Sequence, residues 1–191
     1  MAYNGTKVGL TDLYYALLTS DASDGAVYET PVKITGAIVA NINPNSTSGT
    51  LFADDGPLES TSQLGQIELQ LDIADIPLTE QGILLGNDAV ALGVLLKKAT
   101  DTPPWLAIGF KSLKSNGSYR YVWLVKGKFR EIEDNSETKD DSINWQTGTI
   151  MGQFVKRDCD EVWKKMADED EATYSDAGDT WFTAGPDASV V

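Results

Sequence analysis

The chain has no histidine and only one cysteine, Cys159. Without a second thiol an internal disulfide is impossible. Without imidazole, zinc sites of the Cys/His kind, Ser-His-Asp triads and Cys-His dyads are excluded by inventory. Long apolar runs are missing too: no stretch approaches the roughly 18 residues of a membrane span, and no basic segment precedes a short apolar one as in a signal peptide. The sequence therefore predicts a protein made and kept in the cytosol. Positive charge is scarce, with 15 Lys and Arg against 29 Asp and Glu, a net charge of −14. Such a surface repels phosphates and anionic lipid, which disfavours a nucleic-acid reader and a membrane-docking protein.

What is present suits one globular domain. The 191 residues are 41% hydrophobic and 9% aromatic, enough for a core and its anchors. The strongest local signal is Asn116-Gly117 between LAIGFKSLK and YRYVWLVKGKF, a β-hairpin signature. With Asn116 and Gly117 as the two central residues of a type I′ turn, Ser112 faces Tyr121, Phe110 faces Trp123 and Ile108 faces Val125. That register makes one face aromatic and aliphatic and leaves the other mixed.

Along the chain, MAYNGTKVG reads as a polar arm outside the core, Leu10 to Leu18 as a strand, and SDASDGAVYETP as a loop. Val32 to Ile42 alternates as a strand with Val32, Ile34, Ile38 and Ile42 on one face, stopped by Pro44. Residues 43–65 form a stretch of Ser, Thr, Asn, Asp, Gly and Pro with one apolar pair, Leu51-Phe52. Compact domains rarely carry so long a loop. It is either a disordered insertion or an arm that orders against a neighbouring subunit through Leu51 and Phe52.

Ile67, Leu69, Leu71 and Ile73 form the clearest inward-facing strand pattern. Pro77 and Gly86 then bracket a short helix over Leu78 to Leu85, packed through Leu78, Leu85 and either Ile83 or Leu84. Val90 to Lys98 reads as a further strand, ended by Pro103-Pro104. A charge-rich loop follows Phe129, with six acidic residues between Glu131 and Asp141 against Lys139 alone. Ile143 to Val155 is a long strand with a bulge expected at Gly148. The expected fold is mainly β, an antiparallel β-sandwich or half-barrel with one short flanking helix. Residues 1–157 make the domain; residues 158–191 are an acidic extension that packs on it through Trp163, Met166, Trp181 and Phe182 or trails from it.

Chemistry is thinly marked. Asp54-Asp55-Gly56 and Asp168-Glu169-Asp170-Glu171 lack the ligand spacing of a calcium loop, and the first is more simply a turn. Among 29 acidic residues no carboxylate pair stands out for glycoside hydrolysis. No phosphate-cradling motif occurs. The reading is therefore of a protein that is not an enzyme, with no cofactor and no metal. Five tryptophans and seven tyrosines could build a sugar-binding platform, so a carbohydrate-binding β-sandwich module using exposed tryptophans is the alternative. KSLKSNGSYR sets Lys111, Lys114 and Arg120 about the hairpin tip, suited to an acidic loop of a neighbour.

The segments VGLTDLYYALLT, YETPVKITGAI, TLFADDGPLE, IELQLDIADIPLTEQGILLG, IGFKSLKSNGSYRYVWLVKGKF and MADEDEA, in that order, resemble the major tail proteins of long-tailed, non-contractile phages of Gram-positive bacteria. The resemblance spans nearly the whole chain, and the hairpin and IADIPLTEQGILLG are its most specific parts. It implies a virion structural protein, assembled in the host cytoplasm, whose β-sandwich-like subunits with one flanking helix form hexameric rings that stack into the tail tube. Implied partners are further copies of itself, a tape-measure protein, and tail-tip or tail-terminator proteins, with DNA passing transiently through the lumen. The long loop reaching a neighbouring ring or subunit corresponds to residues 43–65, and the helix to Leu78 to Leu85. The residues expected at subunit interfaces are Leu51, Phe52, Asp54 and Asp55 in the loop, and Lys111, Lys114 and Arg120 at the hairpin tip. A lumen poor in Lys and Arg would let DNA slide.

Overall fold

The computed structural model describes residues 4–53, 55–88, 90–133, 138 and 147–187. It is mainly β. The strands are β1 (Lys7–Ala22), β2 (Gly25–Tyr28), β3 (Val32–Ile34), β4 (Ala37–Ala53), β5 (Gly56–Ile73), β6 (Leu106–Lys114), β7 (Tyr119–Phe129), β8 (Gly148–Val155) and β9 (Lys164–Asp168). Helix α1 (Leu78–Leu85) and one turn of helix, α2 (Ala177–Thr180), complete the elements. The strands make one open antiparallel sheet in the order β2-β1-β6-β7-β8-β5-β4, with β3 also pairing β1 and β9 also pairing β7. Of the two forms expected, the half-barrel is the one built: Leu13, Ile34, Ile67, Leu69, Leu71, Ile73, Ile108, Phe110, Val122, Leu124, Ile150 and Phe154, from six strands, converge in a single core. Each fully buried aliphatic side chain there contributes about 1.5–3 kcal/mol.

The central hairpin forms, but one residue out of the expected register. Phe110 faces Val122, Ile108 faces Leu124 and Ser112 faces Arg120. The cause lies in the turn. Ser115, Asn116 and Gly117 all lie between the pair Lys114 and Ser118; the Lys114 N–H donates to the Ser118 carbonyl at 2.9 Å and the Gly117 N–H to the Lys114 carbonyl at 3.0 Å. Gly117 has φ +90°, so the loop is a three-residue turn with a left-handed glycine. The slip sends Phe110 and Trp123 to opposite faces. Phe110 enters the half-barrel core, while Trp123, Tyr121, Val125, Ala16 and Ala107 form a second cluster on the outer face. Trp181 and Phe182 cover that cluster: the Trp123 Nε1–H donates to the Trp181 carbonyl at 3.1 Å, and Phe182 stacks on Tyr14 with ring centroids 4.5 Å apart. Both faces of the hairpin are therefore buried, and residues 158–187 pack on the domain rather than trail from it.

Helix α1 keeps its expected bounds, with Pro77 before it and Gly86 after it at φ +71°. Leu84 and Leu85 are its buried apolar residues, whereas Leu78 and Ile83 are exposed, so the expected packing through Leu78 does not occur. β5 buries Ile67, Leu69, Leu71 and Ile73 as its alternation requires.

Other expectations are corrected. The initial arm is not free of the core fold: β1 begins at Lys7, and Thr6 exchanges hydrogen bonds with Ser115 at 2.8 and 3.0 Å. The expected loop after Ser20 contains β2, a hairpin partner of the end of β1. The run Val32 to Ile42 is two strands, broken where Gly36 takes φ +85°, and Val32 and Ile38 are exposed rather than inward. Val90 to Lys98 is no strand; Leu92 and Gly93, both at positive φ, close a tight turn bridged only between Ala91 and Val94. Gly148 opens β8 in unbroken register with Ile73, without a bulge there. Ile143 and Trp145, and most of the charge-rich loop after Glu133, lie outside the described residues.

Pro44 does not stop β4. The strand continues to Ala53 and pairs back with β5, Ser46 with Leu64 through Ala53 with Gly56. Pro44 is tolerated because β4 is the last strand of the sheet and its register shifts between Pro44 and Ser46. Residues 45–65 are thus a paired hairpin arm.

The register can be checked at Gly109, which faces Trp123 across the hairpin. A Cβ there would lie 2.6 Å from the indole ring. Gly109→Ala is expected to cost about 1–3 kcal/mol through overpacking, measured as a lower urea midpoint with an unchanged slope.

Candidate assembly surface

The seven residues expected at interfaces divide into two groups. The basic residues of the hairpin tip find their counter-charges inside the chain. β9 runs alongside β7 and delivers the acidic run directly onto the tip. Lys114 is buried and pairs with Asp168 and, at 2.7 Å, with Asp170. Arg120 Nε donates to Asp168 at 2.6 Å. Asp170 also accepts from Asn116 at 2.9 Å and from the Ser118 hydroxyl at 2.7 Å. Glu169 accepts from the Tyr119 N–H at 2.7 Å and the Tyr121 hydroxyl at 2.9 Å. Lys111 pairs with Asp12 at 2.7 Å and sits 4.6 Å from the centre of the Tyr119 ring.

These contacts shift the titrations in the expected senses. Hydrogen bonds from Lys114, Asn116 and Ser118 hold Asp170 down at about 2. Burial pushes Asp168 up, but the bonds from Lys114 and Arg120 outweigh it and keep its carboxyl below the usual range. Burial disfavours the Lys114 ammonium, yet its two carboxylates raise its pKa. The run Asp168 to Glu171, tested in the sequence as a possible metal site, serves as the counter-charge of the hairpin tip. The signal was present as two opposite charge blocks, KSLKSNGSYR and DEDE. Among the described residues no group of three or more His, Cys, Asp or Glu could hold a metal ion.

A second clamp, missed from the sequence, ties the far end of β7 to the C-terminal segment. Lys126 lies 2.7 Å from both Asp21 and Asp158, and the Asp21 carboxylate also accepts the Asp158 N–H at 2.8 Å and the Cys159 N–H at 3.1 Å. Burial opposes ionisation of Asp21, but these donors more than compensate and depress its pKa strongly. Buried Arg157 adds pairs with Asp160 and, at 3.3 Å, with Asp187.

The loop residues are placed quite differently. Leu51 and Phe52 stand on the β4–β5 arm, 57% and 69% exposed, together with Leu58 at 68% and Leu64. Asp55 sits at the arm's tip with φ +62° and is exposed; Asp54 lies outside the described residues. From Ser46 to Ala53 the arm's eight residues extend roughly 25 Å at the usual strand rise. No residue of either arm strand over this length is buried.

The tryptophans are otherwise engaged. Trp123 and Trp181 are buried, Trp163 packs against the main core, and Trp105 is approached by Lys126 and Lys128 at 5.2 and 4.6 Å from its ring centre. Trp145 lies outside the described residues. No protein-family model matches the chain, and no curated protein matches it.

The hairpin-tip clamp has a defined pH signature. Asp168 and Asp170 have lowered folded-state pKa values, so their stabilisation is present above the unfolded carboxylate pKa of about 3.9 and is lost as pH falls toward 2. The urea midpoint is expected to fall steeply across that interval. In Lys114→Met the midpoint should be lower at pH 6, and its decline below pH 4 shallower. An unaltered acid profile would remove the clamp from the account.

Proposed function

We propose that this chain is a tail-tube protein of a long-tailed, non-contractile phage, self-assembling into stacked hexameric rings that form a conduit for DNA ejection. The observation that carries the reading is the β4–β5 arm. A two-stranded hairpin is marginally stable alone in water, and this one projects with exposed Leu51, Phe52, Leu58 and Leu64 and no core beneath it. A second protein surface would supply the missing burial. The sheet adds a further reason: it is open, and β4 forms one end of it with an unpaired edge among the described residues. Unprotected edges invite pairing with another chain, and a closed ring of subunits uses them up.

The polar side of β5 suits a DNA conduit. Glu68, Gln70 and Asp72 alternate with the buried Ile67, Leu69, Leu71 and Ile73, and β8 sets Thr149 and Gln153 beside them. Lys128, opposite Gln153, and Arg130, against Met151, add two cations to this side, few enough for phosphate to pass without being held tightly. The partners in this reading are other copies of the chain, a tape-measure protein, and tail-tip or tail-terminator proteins. For the carbohydrate-binding alternative, Trp105 is the exposed tryptophan among those described, with Lys126 and Lys128 over its ring.

The arm is tested by Phe52→Asp. Because Phe52 is exposed, the variant should keep the circular dichroism and urea midpoint of the parent within about 0.5 kcal/mol. In sedimentation velocity it should remain a monomer at concentrations where the parent forms large assemblies. Assemblies of normal size from the variant would remove the arm from the interface.

A further inference from the structure

The mouth of the half-barrel, at the hairpin-tip end, is an open cleft of about 400 Å³ between the start of β1 and β4. Leu10, Ile38, Ile42, Phe110 and Val122 line it, with Ser112 among them. At its rim stand Lys7 and Lys164. Most basic groups of this acidic chain have carboxylate partners, but neither of these ammonium groups takes part in any ion pair among the described residues. Both have lowered pKa values, from burial first and then from neighbouring cations: Arg120 and Lys114 for Lys7, partly offset by the Asp168 carboxylate, and Lys7 and Arg120 for Lys164. Adding a negative charge there relieves a repulsion that the isolated chain carries.

The β4–β5 arm presents the complementary chemistry. Its outer end carries Phe52 and Leu58 together with Asp55 and Glu59, apolar groups beside carboxylates, all exposed. The arm cannot answer the cleft of its own chain. Ile38 and Ile42 lie at the arm's root, and the paired strands carry the tip roughly 25 Å away from them. A second copy can supply it.

We propose that the arm tip of one copy docks in the half-barrel mouth of a neighbouring copy, Phe52 or Leu58 entering the apolar floor and Asp55 and Glu59 pairing with Lys7 and Lys164. The proposal rests on the tube reading and identifies the receptor for the arm. It also gives carboxylate partners to Lys7 and Lys164, which with Lys128, Arg130 and Lys165 are the described basic residues outside any ion pair. The contact is heterologous, tip to mouth, and so propagates from copy to copy instead of ending in a closed pair.

Charge reversal on each side, followed by restoration, tests it. Lys7→Glu with Lys164→Glu should abolish growth of tubes in electron micrographs, as should Asp55→Lys with Glu59→Lys, while all four substitutions together restore it. Circular dichroism melts establish that each variant is folded. A second measurement avoids charge altogether. In a Cys159→Ser background, Phe52→Cys with Ile38→Cys should give disulfide-linked ladders between copies under oxidation, whereas either cysteine alone gives no ladder beyond a dimer. Normal tubes from folded Lys7→Glu/Lys164→Glu, with no ladder from the cysteine pair, would overturn the docking site and leave the tube reading standing. A parent protein that never assembles, even when seeded, would overturn both.

Discussion

The structure depends on the register of one hairpin. With three residues in the turn, Trp123 lies over Gly109 on the outer face and Phe110 points into the half-barrel. Trp123 is then a large apolar group on a face that needs a cover, and Trp181 and Phe182 supply it. That docking draws the C-terminal segment across the sheet and allows β9 to pair with β7. β9 in turn carries Asp168 and Asp170 to buried Lys114 at the hairpin tip. A buried lysine without those carboxylates would be strongly destabilising, so packing on one face and charge at one end support the same register.

Charge is distributed with a purpose that the net value conceals. Lys114 and Arg120 are held in one clamp and Lys126 and Arg157 in another, one at each end of the central hairpin. Lys7 and Lys164, like Lys128, Arg130 and Lys165, are in no ion pair among the described residues, and these two border the cleft between β1 and β4.

The parts legible in the sequence were those governed by local rules. Helix α1 was bracketed by Pro77 and Gly86, and the alternation from Ile67 to Ile73 had a single core to answer to. The hairpin was visible but its register was not, because the two-residue and three-residue turns share the same Asn-Gly pair. The choice between them is made by Gly109 and by a cover arriving from more than fifty residues away. The arm was hidden for the opposite reason. A hairpin without a core carries no apolar period, so residues 43–65 looked like loop although Ser46 to Ala53 pair with Gly56 to Leu64, with one bulge at Leu58. The apolar run at Val90 to Lys98 misled in turn: its exposed Leu92, Val94 and Leu96 have hydrophobicity without a partner strand. The residues proposed for the interface followed the same division. Leu51 and Phe52 could be picked out as apolar groups in a polar stretch, whereas the basic tip could not be matched to Asp168 and Asp170 without the fold.

The most direct measurement of the central claim is negative-stain electron microscopy of the purified parent protein over a concentration series, with and without tail-tip complexes as seeds. The account predicts rings and hollow tubes with six subunits per ring, appearing more readily with seeds. Dispersed monomers throughout the series, seeded or not, would contradict it.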